Sequence, residues 1–420
     1  MSDVVLIHEV HDMWPSTLIE IGGMSETNPF VKVIQLAENS AYSKSDKVVS
    51  IPPYAESYMK QHGLKDGKFV NIPNGIAAED WEDAKEIPGK MGAFFESLQK
   101  DGKFIVGYFG GHALSNALDA LLDCARLFVE NDNIMFVLVG KGVEKERLMQ
   151  RCKEEQIGNV AFLDAIEKRC IPSLLKWFDC IYMGAADSSL YRFGLGLNKF
   201  YDAMMAGKPI VLSATAPMTI VEQYHCGVVV PAGDVPAIKE AIETVYHMEK
   251  TERDVLGRNG QKAVQEHFLY DKLAEDFQEA MGSKEKKKIL LIDHYAGSPE
   301  MGMEFRPYYF AKEWVKAGNR VDILAGDYSH LRIKNPKVKK DFEEEVIDGV
   351  HYHWIRTGTY EGNGVKRALT MFRFVWKLWL NAKKIARKFE PDVIITSSTY
   401  PLDTYAGQRI KKLAEKRKGH

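Results

Sequence analysis

Short apolar runs alternate with amphipathic helical stretches along almost the whole of this 420-residue chain, and that rhythm is what most constrains its fold. Runs suited to strands stand at 4–8, 47–50, 69–72, 104–109, 134–139, 160–162, 180–183, 209–212 and 227–230. More stand at 288–293, 320–324, 350–356 and 392–396. Stretches with helical periodicity, such as 117–130 and 143–155, lie between most of them. Continuous apolar runs separated by crossover helices are the pattern of parallel sheets covered on both faces. The fold class expected is therefore α/β, and no repeat at solenoid period competes with it.

One unit stands in an odd place. KKKILLIDHYAGSPEMGMEFRPYYFAKEWVKAGNRVDILAG, from Lys286, has a basic lead-in, an apolar strand, a Gly-containing loop, an amphipathic helix and a second strand. It reads as the opening of a Rossmann-like domain, yet it follows a long helical segment and the polar stretch from Gly282 to Lys287. Val4, by contrast, begins a buried-type strand almost without preamble, and a lone strand gains little unless neighbours complete its sheet. The economical expectation is two Rossmann-like domains in circularly permuted order. Residues 1–85 with 284–420 form one, discontinuous; 86–266 form the other; 267–283 supply a crossing helix and a junction linker. Three small domains in sequence order are the alternative.

Composition narrows the class. A content of 45% hydrophobic and 27% charged residues describes a globular protein with ample core, and a formal net charge of −2 provides no global field for nucleic acid. Cys124, Cys152, Cys170, Cys180 and Cys226 are odd in number and show no CxxC spacing, which argues for reduced, structural thiols and a cytosolic compartment. No apolar stretch reaches the roughly 18 residues of a spanning helix, and MSDVVLIHEV lacks the form of a signal peptide. His, Cys and carboxylates do not cluster at metal-ligand spacing.

The segment GLGLNKFYDAMMAGKPIVLS at 194–213 closely resembles the nucleotide-sugar motif of family four retaining glycosyltransferases, in particular bacterial surface-polysaccharide members. VGYFGGHALSNALDALLDCARLF at 106–128 resembles the first strand, Gly loop and helix of their nucleotide-binding domain. EVHDMWPSTLIEIG at 9–22 resembles the acceptor-domain motif with its His-Asp pair, and IPNGI at 72–76 the approach to the interdomain linker. The resemblance implies a GT-B fold, two Rossmann-like domains facing a cleft. It also orders the pieces: the unit at Lys286 comes first, then SSTYPLDTYAG, EVHDMWP, IPNGI and AGKP.

Transfer from a nucleotide sugar requires cations or N–H groups at the diphosphate, a pocket for base and ribose, and an acceptor site. Gly110, Gly111 and His112 directly follow a strand, and the helix opening near Ser115 and Asn116 offers amides to an anion; a plain tight turn is the bland alternative. Lys199 and Asp202 are three apart on one helix, so both are able to face a ligand. Asp202 is expected to accept from ribose, and Lys199 either neutralises phosphate or pairs with Asp202. The family's first carboxylate falls on Gly194, which has none. Glu222 is a looser candidate near base or ribose. His11 and Asp12 are expected beside the sugar, with Lys199 completing the catalytic set, or else His11 only caps a loop; His8 reads as a packed histidine. On the acceptor side stand Glu9, Gly297, Gly302 and Arg306, the last set against a surface salt bridge. No metal or other cofactor is expected, since protein cations and helix amides can serve the leaving diphosphate.

KRALTMFRFVWKLWLNAKKIARK, from Lys366 to Lys388, holds eight Lys or Arg residues, four aromatics and no acidic residue. That mixture suits an interfacial helix on an anionic membrane surface; packing of its aromatic side against the domain is the alternative. The expected activity is retaining transfer of a hexosyl or N-acetylhexosaminyl group from a UDP- or GDP-sugar to a lipid-linked or oligosaccharide acceptor, at the inner face of the cytoplasmic membrane. A nucleotide-sugar epimerase of the same architecture and a non-catalytic sugar-nucleotide-binding scaffold are the rivals.

Overall fold

The computed structural model describes residues 4–282, 285–302, 306–362 and 364–419. Junction residues 283–284 and residues 303–305 of the Gly loop lie outside the described residues.

Fourteen strands are formed among the described residues. They are β1 (Val5–Val10), β2 (Lys47–Ser50), β3 (Phe69–Asn71), β4 (Phe104–Phe109), β5 (Ile134–Val139), β6 (Val160–Leu163) and β7 (Cys180–Gly184). Then follow β8 (Ile210–Ser213), β9 (Gly227–Val230), β10 (Lys288–Ile292), β11 (Arg320–Gly326), β12 (Glu343–Ile347), β13 (Val350–Ile355) and β14 (Val393–Thr396).

The chain divides into two units. One comprises residues 1–73 and 270–420, the other 74–269. The first holds an eight-stranded sheet in the order β12-β13-β11-β10-β14-β1-β2-β3, parallel except for the β12–β13 hairpin. Val393 of β14 is paired with Ile289 of β10 on one side and Val5 of β1 on the other. Strands 388 residues apart in sequence are thereby bound into one core, where Leu6, Leu290, Ile292 and Ile394 pack on Phe374, Ile385 and Ile410. Read onward from β10, the seven parallel strands stand in the order 3-2-1-4-5-6-7, the 3-2-1-4-5-6 order of a doubly wound sheet with one strand added at its edge. The second unit repeats that order in a six-stranded parallel sheet, β6-β5-β4-β7-β8-β9. All six residues of β4 are buried, and separate apolar clusters cover the two faces of this sheet.

The unit boundaries fall at 73/74 and 269/270, whereas the sequence suggested 85 and 266. Ile76 bridges to Leu269, and Trp81 Nε1 donates to Asp202 Oδ1 at 3.0 Å, so residues 74–85 are held by the second unit. The helix Tyr270–Ala280, expected as a separate crossing segment, belongs to the first unit. Tyr270 stacks on Tyr309 at 4.7 Å and Phe277 meets Trp314 edge-on. Strand β12 escaped the sequence reading because EEEVI is too acidic to look buried. Its register comes instead from a tight turn in which Asp348 (φ +50°) and Gly349 (φ +78°) take the positive φ that a two-residue hairpin needs. All five cysteines are free and buried, and no helix among the described residues is long and apolar enough to cross a membrane.

Candidate active site

In each sheet the chemistry-bearing residues gather beyond the carboxyl ends of the strands, beside the point where strand order reverses. That is where doubly wound sheets take ligands.

In the second unit this point lies between β4 and β7. Lys199 Nζ, at the start of the helix Lys199–Met205, donates to Asn116 Oδ1 at 2.6 Å and to Tyr108 OH at 3.2 Å. The Tyr108 hydroxyl and Asn116 Nδ2 in turn donate to the Gly111 carbonyl, at 2.6 and 2.9 Å. A four-residue network thus fixes a cation over the Gly-Gly loop, and burial lowers the Lys199 pKa to about 8. The loop is braced from β5: Gly110 N–H donates to Val139 O and His112 N–H to Lys141 O. The brace requires glycine at 140, because a Cβ there would lie 1.9 Å from the Gly110 carbonyl oxygen. Lys145 is tied to the same corner through the Gly140 and Leu163 carbonyls, at 3.0 and 2.9 Å. Among the described residues, the amides of Gly111, Leu114 and Ser115 donate to no protein acceptor. These N–H groups and the Lys199 ammonium are what this unit can offer an anion.

Several expected residues have other duties. The His112 ring is fully buried against Tyr108, its pKa lowered by burial and by Lys145, and its amide is spent on Lys141; it fixes the loop. Lys199 and Asp202 do not pair, for their partners are Asn116 and Tyr108 on one side and Trp81 on the other. Asp202 is 9% exposed and its pKa is raised by burial. Glu222 closes a capping box: its Oε2 accepts from Thr219 N and Oγ1, both at 2.8 Å, while its own N–H donates to Thr219 Oγ1. Gly194 has φ +100° and ψ 167°, a conformation that side-chain-bearing residues rarely adopt, which is why no carboxylate stands there.

In the first unit the reversal lies between β10 and β14. His11 Nε2 lies 2.9 Å from Ser397 Oγ and 3.3 Å from Glu9 Oε2, and Ser397 Oγ donates to Glu9 Oε2 at 2.5 Å. Burial alone would lower the His11 pKa; the hydrogen bond and charge of Glu9, helped by Asp293, raise it. Glu9 and Ser397 therefore orient the imidazole, while Asp12, expected beside the sugar with it, is exposed. Arg306 is buried and not a surface ion: Nε donates to Glu9 Oε1 at 2.8 Å and its other nitrogens to the carbonyls of Ile72 and Pro73. Burial would raise the Glu9 pKa, but Arg306 holds it well below the usual carboxylate range. His8 bonds Thr396 Oγ1 at 2.9 Å, and burial lowers its pKa to about 4, as suits a packed histidine. Gly297 is buried with its carbonyl bonded by Tyr352 OH, and Gly302 is exposed after a short turn. Two buried acids were missed. Burial lifts Asp293 to about 6 and Asp403 to about 8, and Asp403 Oδ2 accepts from Ser398 N at 3.0 Å. The signals available were a strand-end carboxylate after an apolar run, LLID, and a carboxylate opening a helix after a proline turn, YPLD.

Residues 92–263 match the family described as glycosyl transferases group 1. This segment is a group 1 glycosyltransferase domain. It contains Gly110, Gly111, Lys145, Lys199 and Asp202, so the described network is the domain's own. The probable glycosyltransferase WbjE of Pseudomonas aeruginosa is 24% identical over 253 residues, 57% of this chain and 59% of that protein. The chain thus spans less than two thirds of the length of the curated relative it matches. Among solved structures, HepE of Anabaena in complex with UDP and glucose superposes with a TM-score of 0.51 at 18% identity, covering 66% of this chain and 72% of HepE. WaaG, a glycosyltransferase involved in lipopolysaccharide biosynthesis, does so with a TM-score of 0.50 at 13% identity, covering 67% and 76%. At such identities the glycosyltransferase domain and its companion unit share the GT-B fold with these proteins, and no more is taken from them. Among the described residues, no three of His, Cys, Asp or Glu converge as a metal-binding group.

Proposed function

We propose that this protein transfers a glycosyl group, with retention of configuration, from a UDP- or GDP-sugar to a lipid-linked or oligosaccharide acceptor in surface-polysaccharide synthesis. The observation that carries this reading is the Lys199 network at the strand-order reversal of a group 1 glycosyltransferase domain. A cation near its titration point and three outward amides suit a diphosphate that gains negative charge as it leaves. That HepE was solved with UDP and WaaG acts in lipopolysaccharide biosynthesis favours a nucleotide-sugar donor and an envelope glycan. Gly194 replaces the carboxylate that the family's motif sets against a sugar hydroxyl; the transfer proposed has no covalent protein intermediate, and Lys199 with the amides neutralises the diphosphate without a metal.

The first unit supplies the acceptor side. His11, oriented by Glu9 and Ser397, is the group proposed to contact the sugar. Arg306 and Glu9 act through position, since Arg306 donates to Glu9 and to the carbonyls of Ile72 and Pro73, and Glu9 accepts from Arg306 and Ser397. The sheet order that becomes regular when read from β10 supports a circularly permuted glycosyltransferase. The cationic, aromatic segment from Lys366 to Lys388 supports a peripheral position on an anionic membrane at its cytoplasmic face.

The test is UDP or GDP release from a panel of nucleotide sugars, with a thermal-shift screen of the free nucleotides to choose the base. Release that rises with added acceptor supports transfer. Epimer formation without acceptor, or nucleotide binding with no turnover of any donor, overturns it.

A further inference from the structure

The helix Val365–Leu380 has two apolar faces. Met371, Phe374 and Leu378 are buried in the first unit. Val365, Leu369, Phe372, Trp376 and Leu380, recurring every three or four residues, form a second stripe that is 41–77% exposed. A helix with one buried face should carry polar residues on the other, so a contiguous apolar stripe there marks a binding surface. The stripe is not flat. With Val33 of the helix Pro29–Lys44 and with Leu402 and Tyr405, residues Leu369, Phe372 and Trp376 wall a groove of about 600 Å³.

We propose that this groove binds the hydrocarbon tail of the lipid phosphate that carries the acceptor, an inference that rests on the transferase reading above. Three observations choose this occupant. The groove's lining is almost wholly apolar and aromatic, with Trp376 and Trp379 stacked at 5.7 Å, and its volume is that of a small-molecule site, about 300–1,000 Å³. The helical stretch that walls it carries charge of one sign: no Asp or Glu occurs between Glu361 and Glu390, while eight Lys or Arg do. Of these, Arg373 lines the groove itself and Arg367 reaches Tyr295 at the strand ends, so an anionic head on that side meets cations. Finally, groove and acceptor cluster share a wall. Leu402 lies on the turn Pro401–Asp403, whose Asp403 binds Ser398 N, and Phe374 on the buried face of the same helix stacks on His294 at 4.6 Å, next to Asp293. A tail held there therefore delivers its head group to the strand ends where His11 and Ser397 stand.

The experiment uses the full chain and three soluble probes: farnesyl phosphate below its micelle-forming concentration, farnesol, and inorganic phosphate. Binding is read from the change in tryptophan fluorescence that Trp376→Phe removes, and vesicles of phosphatidylcholine with phosphatidylglycerol are run beside them. The expected result is saturable binding of farnesyl phosphate, at least tenfold weaker binding of farnesol and none of inorganic phosphate. Val33→Trp, which fills the groove, and Trp376→Ala, which empties one wall, each weaken farnesyl phosphate at least tenfold while UDP affinity and thermal unfolding stay unchanged. Absence of saturable binding, or binding indifferent to Val33→Trp, overturns the proposal even where vesicles bind. Failure of UDP to bind the unaltered chain would instead sink the transferase reading.

Discussion

Arg306 Nε and Glu9 Oε1 lie 2.8 Å apart although 297 residues separate them in the chain, and the two side chains are only 5% and 2% exposed. The pair joins the start of the helix Arg306–Lys316 to the end of β1, and the same guanidinium holds the carbonyls of Ile72 and Pro73, where the chain leaves the first unit. Breaking a buried pair from one side leaves an uncompensated charge, which typically costs about 3–5 kcal/mol. Arg306→Ala is expected to lose about that much stability in urea unfolding, with Glu9→Ala similar. The double substitution should cost less than the sum of the two. Strict additivity would show that the pair is not coupled.

Lys199 carries two pH signatures of opposite sign. Its pKa in the folded chain is lowered to about 8 by burial, below the ordinary lysine value. Between pH 8 and about 10.4 the unfolded chain therefore binds more protons, so this group makes the ligand-free protein more stable as pH rises. An anion binds the charged form, so UDP affinity should fall as pH rises from 7 to 9. Lys199→Met should remove that fall and weaken UDP at least tenfold, about 1.4 kcal/mol or more. Calorimetric titration at pH 7, 8 and 9 reads both effects, and an unchanged pH slope in the variant would rule out contact between Lys199 and the diphosphate.

Two glycines separate packing from chemistry. Gly140→Ala places a methyl 1.9 Å from the Gly110 carbonyl oxygen, a backbone atom that has to move. It should displace the Gly-Gly loop and weaken UDP binding more than tenfold, with an overpacking cost of about 1–3 kcal/mol. Gly194→Glu restores a carboxylate to the family's motif, but at φ +100°, a strain of about 1–3 kcal/mol. It should lower the unfolding midpoint without improving turnover. A gain in turnover would mean that the loop 194–198 can relax to accept it.

Much of the fold was legible because buried parallel strands announce themselves: thirteen of the fourteen strands coincide with apolar runs, and β12, glutamate-rich and at a sheet edge, does not. The turn that sets it, Asp348–Gly349, was a readable hairpin signal. In the candidate site of the second unit, Lys199 and the Gly-Gly loop stood out because each sits at a strand or helix end. The capping duty of Glu222 was readable too, since Thr219-x-x-Glu222 is the sequence form of a capping box. The Arg306–Glu9 pair and the Ser397–His11 contact were not legible in principle, since local spacing carries no information about partners 297 and 386 residues away. Asn116 fell between: the helix opening near it was noticed, but not that its side chain would anchor Lys199.

Asp403 should leave a mark on the stability of the first unit. Its carboxyl is fully buried, bonded by Ser398 N, and burial raises its pKa to about 8. An unfolded aspartate titrates near 3.9, so between about pH 4 and pH 8 the folded chain holds a proton that the unfolded chain has lost. Folding stability contributed by this group is complete below pH 4 and declines as pH rises through that window, by at most about 1.4 kcal/mol per pH unit. Asp293, raised to about 6, adds a decline of the same sign that is finished earlier. Asp403→Asn imitates the protonated acid and has no charge to desolvate. Its stability should match the unaltered chain at about pH 4 and below and exceed it increasingly up to pH 8, so that a plot of denaturation midpoint against pH becomes flatter. A variant that runs parallel to the unaltered chain at lower stability throughout would mean that Asp403 is ionised at neutral pH, its charge met by the His11 imidazolium.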